Sequence, residues 1–489
     1  MDSHRLSTYI VCVLVCGILS NHPQQAHALE GHFAIQGGAR LAFQKDQLHY
    51  ERPLSQPIPM RYGTQLYANA MMLVSFTNWF ELGVSVGSGE VFLGAQYLND
   101  KTDLVIQLND HQLTDTQSPS TRHNTPWFLR ERLFFKEAFV RFKTRSFQAT
   151  LGQQRTTIGA GLILDGFTPG AHFAMDILSR YRSQWDVQAK ALLPDGSLSA
   201  VGKQSPIIHL ETNASWSWSG YNKSPNLVVQ LFATFMNDGD NIAGARLLSS
   251  KWREQFTTLP GQAPICHRFE NDCASTPTST GGHFWFGATM RYDYAAFALN
   301  AAAIVHTGSM QVTSPTSTFE ASPTTGLLHG SLSFFPLPFV KLQQHFHIPI
   351  ADEKSDIPFF SISPQSQQPL TIFRGGMNEL TTRRGLQLHD LYRQSPVLGW
   401  SASLDMRRFT LDLNIGMLLF ATQEQQTYGT APSLPMEVNV RSTIHINKHI
   451  RFLLQFALLS AYPTAITDQT GPQWQIMMGV DMSYRSWQN

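Results

Sequence analysis

From Trp474 to Arg485 the sequence alternates without a break. Trp474, Ile476, Met478, Val480, Met482 and Tyr484 are apolar or aromatic, while Gln475, Met477, Gly479, Asp481, Ser483 and Arg485 between them are mostly polar or small. A period of two over this length belongs to a β-strand, whose successive side chains point to opposite faces. One face carries an acid and a base. The other carries only apolar side chains, with an aromatic at each end. That division suits a strand with hydrocarbon outside and water inside, its end aromatics at the two interfaces. Its place just before Asn489 is that expected of the closing strand of a transmembrane barrel. A soluble sandwich strand with one buried face gives the same pattern over one segment, so the remaining sequence has to decide.

Charged residues make up 15% of the 489 positions, against roughly 25% in soluble domains. The formal net charge is +1, and no basic excess points to nucleic acid. Mean hydropathy is only −0.17. After the N-terminus no run of roughly 18 apolar residues offers a membrane-spanning helix. A barrel reconciles these values, because alternation halves the apolar density of every spanning segment.

Residues 1–28 read as a secretory signal. His4 and Arg5 precede an apolar run from Tyr9 to Leu19, and Ala26-His27-Ala28 offers a small-x-small cleavage site. Val13 stands where a lipoprotein signal before Cys16 would carry Leu. With Cys12 and Cys16 in the signal, Cys266 and Cys273 remain in the mature chain. Export to an oxidising space and their close spacing predict a small disulfide loop. His267 and Asp272 lie beside the thiols, but no second Cys pair completes a metal site.

Further strands are expected at 32–44, 64–74, 79–87, 91–98, 102–109, 132–143 and 146–156. After them come 184–192, 206–218, 226–236, 282–294, 296–306, 327–335, 338–347, 397–406, 409–420, 435–446 and 449–460. Very short connections such as Thr144-Arg145, Tyr294-Ala295 and Asn447-Lys448-His449 alternate with long polar ones at 237–281, 307–326, 348–395 and 421–434. That asymmetry is the one that outer-membrane barrels show, short inside and long outside. Counting from the two ends disagrees by one strand within 157–183. Either a strand hides there or one of the short early strands is false; the Gly-rich, apolar segment from Thr157 to Ser183 is also a candidate for folding inward as a constriction.

Phe135-Lys136-Glu137-Ala138-Phe139-Val140, then Leu151-Gly152-Gln153-Gln154, then Gly159 and Gly161, resembles the hairpin of alginate-export-type porins. In that family a "Glu-Ala-aromatic-Val" strand precedes "Leu-Gly-Arg-Gln" and a glycine-containing segment. Gln153 replaces the usual Arg here, with Arg155 two residues on. The resemblance covers about 30 residues and implies an 18-stranded outer-membrane channel, with anionic saccharides as the implied solutes.

Lumen-facing basic residues are expected at Arg141, Lys143, Arg155, Arg291, Lys341, Arg441, Arg451 and Arg485. Acidic ones are expected at Glu137, Asp293, Asp405, Asp412, Glu437 and Asp481. A basic ladder would focus anions through a pore. The competing expectation is that these charges pair across the wall and stiffen it. His345 and His347 share a strand face, yet no third ligand is assignable to make a metal site. Arg383 and Arg384 belong to no readable motif. His209 with Glu211, and His445 with Glu437, share strand faces without a recognisable nucleophile motif.

These readings predict an all-β, transmembrane antiparallel barrel of about 18 strands, with 16 to 20 open, residues 29–489 forming one barrel in a bacterial outer membrane. Its partners would be outer-membrane lipid and small hydrophilic solutes or saccharides. No catalytic residue, cofactor, metal or nucleic acid is implied, and no oligomeric state is fixed. The expected function is a porin-like channel. The alternative is a barrel that acts in adhesion or assembly through its long loops.

Overall fold

The computed structural model describes residues 30–45, 60–88, 91–94, 105–107, 133–180, 182–193, 206–217, 226–238, 278–294, 296–313, 318–352, 359, 396–419, 436–460 and 473–485. The first strands are β1 (Glu30–Lys45), β2 (Met60–Thr77), β3 (Phe80–Ser88), β4 (Val91–Gly94), β5 (Val105–Gln107), β6 (Leu133–Lys143) and β7 (Phe147–Ile158). Next come β8 (Leu164–Arg180), β9 (Ser183–Leu192), β10 (Ile207–Ser217), β11 (Asn226–Asp238), β12 (Thr278–Tyr294), β13 (Phe297–Thr313) and β14 (Thr318–Ala321). The last are β15 (Thr324–Leu337), β16 (Val340–Ile350), β17 (Val397–Met406), β18 (Phe409–Leu418), β19 (Met436–His445), β20 (Ile450–Leu459) and β21 (Gln473–Arg485).

Eighteen of these strands pair antiparallel, each with the next, and the ring closes where β1 meets β21 from Ala34↔Arg485 to Lys45↔Trp474. The alternating closing segment is therefore the seam of a closed barrel. Three short strands add no further position to the ring: β4 continues β3 along the edge of β2, β5 pairs with β4, and β14 continues β15 along the edge of β13. The parity conflict is resolved by β8, the strand hidden within 157–183; the two strands expected at 91–98 and 102–109 overlap β4 and β5, and removing both from the count leaves its parity unchanged.

The wall is inside-out relative to a soluble protein. On β10, Ile208 and Leu210 are 56% and 54% exposed, while His209 and Glu211 between them are buried. On β21, Met478, Val480 and Met482 are exposed and Asp481 is buried. Apolar side chains outside and polar ones inside, on a sheet that closes on itself and pairs its backbone from strand to strand, suit the exterior to hydrocarbon. This is the architecture of a transmembrane β-barrel.

Its two ends differ as the sequence implied. At one end the strands join through short turns, at 78–79, 144–146, 338–339, 407–408 and 446–449. Local side chains shape them: Thr144 Oγ1 accepts from Phe147 N, and Asn447 Oδ1 accepts from both His449 N and Ile450 N. Rings cluster beside these turns. Trp79 stacks on Phe142, Phe147 on Phe173, and Tyr294 packs against Phe297. Such a belt marks a membrane interface.

The hydrophobic core lies within the barrel. Between β7 and β8 the chain makes a tight turn, Gly159–Ile163, with Gly159, Ala160 and Gly161 all at positive φ (60°, 54° and 81°). Leu162 N donates to Gly159 O and Ile163 N to Ile158 O, closing the turn on itself. Its apolar residues Ile158, Leu162, Ile163 and Leu164 are buried against Leu192, Ile207, Met236, Trp285, Ile304, Leu327 and Phe359. Each fully buried aliphatic side chain contributes about 1.5–3 kcal/mol, enough to offset the strained Ala160, which costs about 1–3 kcal/mol. The turn carries with it the adjoining ends of its two strands, since Gln154–Ile158 and Leu164–Thr168 pair with each other and not with β6 or β9, while from Gly170 β8 runs as wall beside β9.

Candidate functional site: the barrel lumen

Residues directly opposite on neighbouring strands share a face, so one inward row can be followed from strand to strand. It runs Glu81, Arg141, Thr150, His172, Lys190, His209, Thr234, Trp285, His306, Thr325 from β3 to β15. A second row on the far side runs Lys341, Ser403, Asp412, Arg441, Gln455 from β16 to β20. Both rows are polar with few exceptions, and most of their charges are met by opposite ones.

Arg141 Nη1 lies 3.1 Å from Glu81 Oε2, and its guanidinium sits 4.8 Å over the Phe139 ring. Lys190 Nζ lies 3.2 Å from Glu211 Oε2 and also donates to Thr157 O, at the root of the inward turn. Glu211 accepts further from His209 and from Asn213 Nδ2, which also donates to Asp186. Arg291 Nε is 2.7 Å from Asp293 two residues along its own strand. Arg451 Nε is 3.0 Å from Asp481. Lys341 and Arg441 flank Asp412, which accepts from Ser403.

The remaining expected lumen residues fall as follows. Glu137 accepts from Arg155 N, and Lys143 and Arg485 lie exposed at the short-turn end. Arg155 makes a two-pronged ion pair with the buried Asp165 within the β7–β8 hairpin. Asp405 accepts from Thr410, and Glu437 is buried. Cys266, Cys273, His267, Asp272, Arg383 and Arg384 lie outside the described residues.

Glu81, Lys190, Asp165 and Arg40 escaped the sequence reading as partners. The period of two assigns a face, but only the register, unreadable from one strand alone, assigns a neighbour. The Trp285 row was readable in principle. Phe284-Trp285-Phe286 is apolar on both faces, which a strand between lipid and water is not unless something apolar fills the lumen behind it.

Glu211, His209 and Thr234 form a chain of contacts, 2.8 Å at each step. The connectivity is that of an acyl-transfer triad. All three are shut from solvent, however, and Lys190 neutralises the carboxylate. A hydroxyl without an accessible face meets no substrate, so the chain serves to cross-link β9, β10 and β11. The histidines His345 and His347 point to different partners: His345 Nε2 contacts Ser401 Oγ at 3.1 Å, and His347 Nδ1 contacts His329 Nδ1 at 3.4 Å. Among the described residues no group of three or more potential ligands could hold a metal ion.

No family model matches the chain, and no curated protein sequence matches it. Solved structures of outer-membrane proteins align along most of its length. OccK8 (OprE) of Pseudomonas aeruginosa shares 9% identity over 94% of this chain and 98% of its own, with a TM-score of 0.47. OprD of Pseudomonas aeruginosa shares 9% over 94% and 96%, also at 0.47. OmpT of Vibrio cholerae, with its loop L8 deleted, shares 9% over 94% and 100%, at 0.38. Likeness at this level says nothing of solute or mechanism.

Proposed function

We propose that the chain is a porin-like outer-membrane channel, through which hydrophilic solutes diffuse without a chemical step. The observation that carries this reading is the polar inner face of an eighteen-strand barrel: carboxylates, amides, hydroxyls, imidazoles and guanidinia point inward on strand after strand. Barrels of that strand number are wide enough for an aqueous path. The inward turn Gly159–Ile163 narrows it from one side.

Anionic saccharides are the finer proposal, supported by the hairpin from Phe135 to Gly161 and by a slight excess of inward bases. The pairing in the lumen limits how far that excess acts. Arg141, Lys190, Arg291 and Arg451 each have a carboxylate within 3.2 Å, and a neutralised base focuses little field. The channel is therefore a weakly anion-selective one.

Planar-bilayer recording of the purified protein tests this. Discrete conductance steps, with a reversal potential displaced slightly toward that of the anion in a salt gradient, are expected. A folded barrel that inserts and conducts no ions would overturn the channel. Marked cation selectivity would overturn the finer reading.

A further inference from the structure

We propose that the short-turn rim of the barrel is a docking surface for anionic phospholipid headgroups, held by Arg145, Arg182, Arg407, Arg408 and Lys448. The inference goes beyond conduction and holds whether or not the lumen passes solutes.

The chain is nearly neutral, with a formal net charge of +1, yet its charges are unevenly placed. The described short turns carry these five bases and no acid. Lys143 and Arg485, at strand ends beside them, add two cations to the same end. The long connections differ. In sequence, 239–277 and 351–395 hold acids and bases in equal number, and 419–435 and 460–472 hold one acid each and no base.

All five rim bases are exposed. The acids of this end are placed otherwise. Asp176, Asp293 and Asp405 sit on the inward face of their strands, where they accept from Gln184, Arg291 and Thr410. The turns therefore project positive charge beyond the acids rather than against them.

Rings on the outer wall fix the depth of these bases. Phe147, two residues from Arg145, is exposed and stacks on Phe173. Trp185, three residues from Arg182, is exposed on the same outer face, as is Tyr484, which packs against His449 beside Lys448. Such rings sit at the headgroup boundary. Two or three residues of rise, about 3.3 Å each along a strand tilted about 45°, carry the bases roughly 5–7 Å farther out, to the depth of lipid phosphates. Their stems lie along the apolar wall while the charges reach water.

Bases at that depth attract lipid of net negative charge, by a factor of about five for each one. A zwitterionic lipid offers the same phosphate already balanced by its own cation. A soluble anion has no acyl chain to hold it at this level of the wall. The occupant is therefore an anionic phospholipid.

Native mass spectrometry of the detergent-purified full chain, given equal amounts of phosphatidylglycerol and phosphatidylcholine, tests the rim. Phosphatidylglycerol should be retained in about fivefold excess or more. The fourfold variant Arg145→Gln, Arg407→Gln, Arg408→Gln, Lys448→Gln should lose that excess and stay heat-modifiable, because exposed turn side chains carry no packing. Arg383→Gln with Arg384→Gln, in a long connection, should leave the excess unchanged. Should the fourfold variant not assemble, Arg407→Gln with Arg408→Gln, confined to one turn, should show a partial loss. Equal retention of the two lipids by the unmodified protein, or an excess that survives these rim changes, would overturn the proposal. So would removal of the excess by millimolar inorganic phosphate, which would make the rim a site for soluble anions.

Discussion

Arg451 and Asp481 face each other from neighbouring strands, Nε to Oδ2 at 3.0 Å, and Arg40 approaches the same carboxylate from β1 at 3.6 Å. One buried acid thus serves two bases across the seam where the barrel closes. In most barrels of this kind the seam joins the segments farthest apart in sequence, so its closure carries the largest loop-closure cost. An ion pair there acts on assembly as well as on the field in the lumen.

Asp481→Asn is therefore expected to have two effects of opposite use. Barrel stability falls by about 1–2 kcal/mol, a hydrogen bond to charge discounted for the half-exposed arginine. Anion selectivity rises, because Arg451 loses its counter-charge and Arg40 loses one. Urea unfolding followed by heat-modifiability on gels reads the first, and reversal potential in a salt gradient the second. A stable variant of unchanged selectivity would show that Asp481 does not set the field at the seam.

Gly152 sits at φ 123°, and a Cβ there would stand 2.2 Å from the backbone oxygen of Ala138. Neither the dihedral nor the contact tolerates a side chain, and the clashing atom is main chain that cannot step aside. Gly152→Ala should cost about 2 kcal/mol or more and lower the assembled fraction. Gly31→Ala, with nothing within 4 Å of the added carbon, is the matched control and should assemble normally. Equal assembly of the two would mean that the β6–β7 hairpin relaxes more than its packing implies.

How much of this was readable beforehand follows from what each signal depends on. The closing strand was legible because lipid and water impose a period of two on every residue of a wall that has nothing else behind it. Strand β8 was not, because Gly166, Pro169 and Gly170 interrupt it with residues that ordinarily end strands; at this place glycine is required, since a Cβ on Gly170 would stand 2.3 Å from Ala191 O. The segment 91–98 read as a strand of its own, whereas β4 within it continues β3 along the edge of β2, a continuity that only the register reveals. The lumen charges were legible as residues and not as pairs. Arg155 shows the limit most directly, since its partner Asp165 lies across the β7–β8 hairpin and only the register supplies it.

The disulfide expected between Cys266 and Cys273 concerns a stretch outside the described residues, and its prediction comes from compartment and spacing. Protein purified without reductant should lack free thiols and lose two mass units relative to the reduced form. Stabilisation by so short a loop is at most about 2–3 kcal/mol. Reaction of two thiols per chain with a maleimide under denaturing, non-reducing conditions would count against the bond.

The orientation of the closing strand yields the most direct comparison. Val480 is 36% exposed on the outer wall, between Met478 and Met482, whereas Ser483 shares the face of the buried Asp481 at the short-turn end. Val480→Arg places a charge against hydrocarbon and should cost roughly 2–4 kcal/mol near the midplane, less toward the interface. Ser483→Arg places the same charge in water beside Arg485 and should be tolerated. A register slip of one residue along β1 would exchange the two outcomes, because every side chain would change face. Assembly of each variant, measured as the heat-modifiable fraction in outer-membrane preparations, distinguishes the cases. If Ser483→Arg assembles worse than Val480→Arg, the seam between β1 and β21 is not in the register that pairs Arg451 with Asp481.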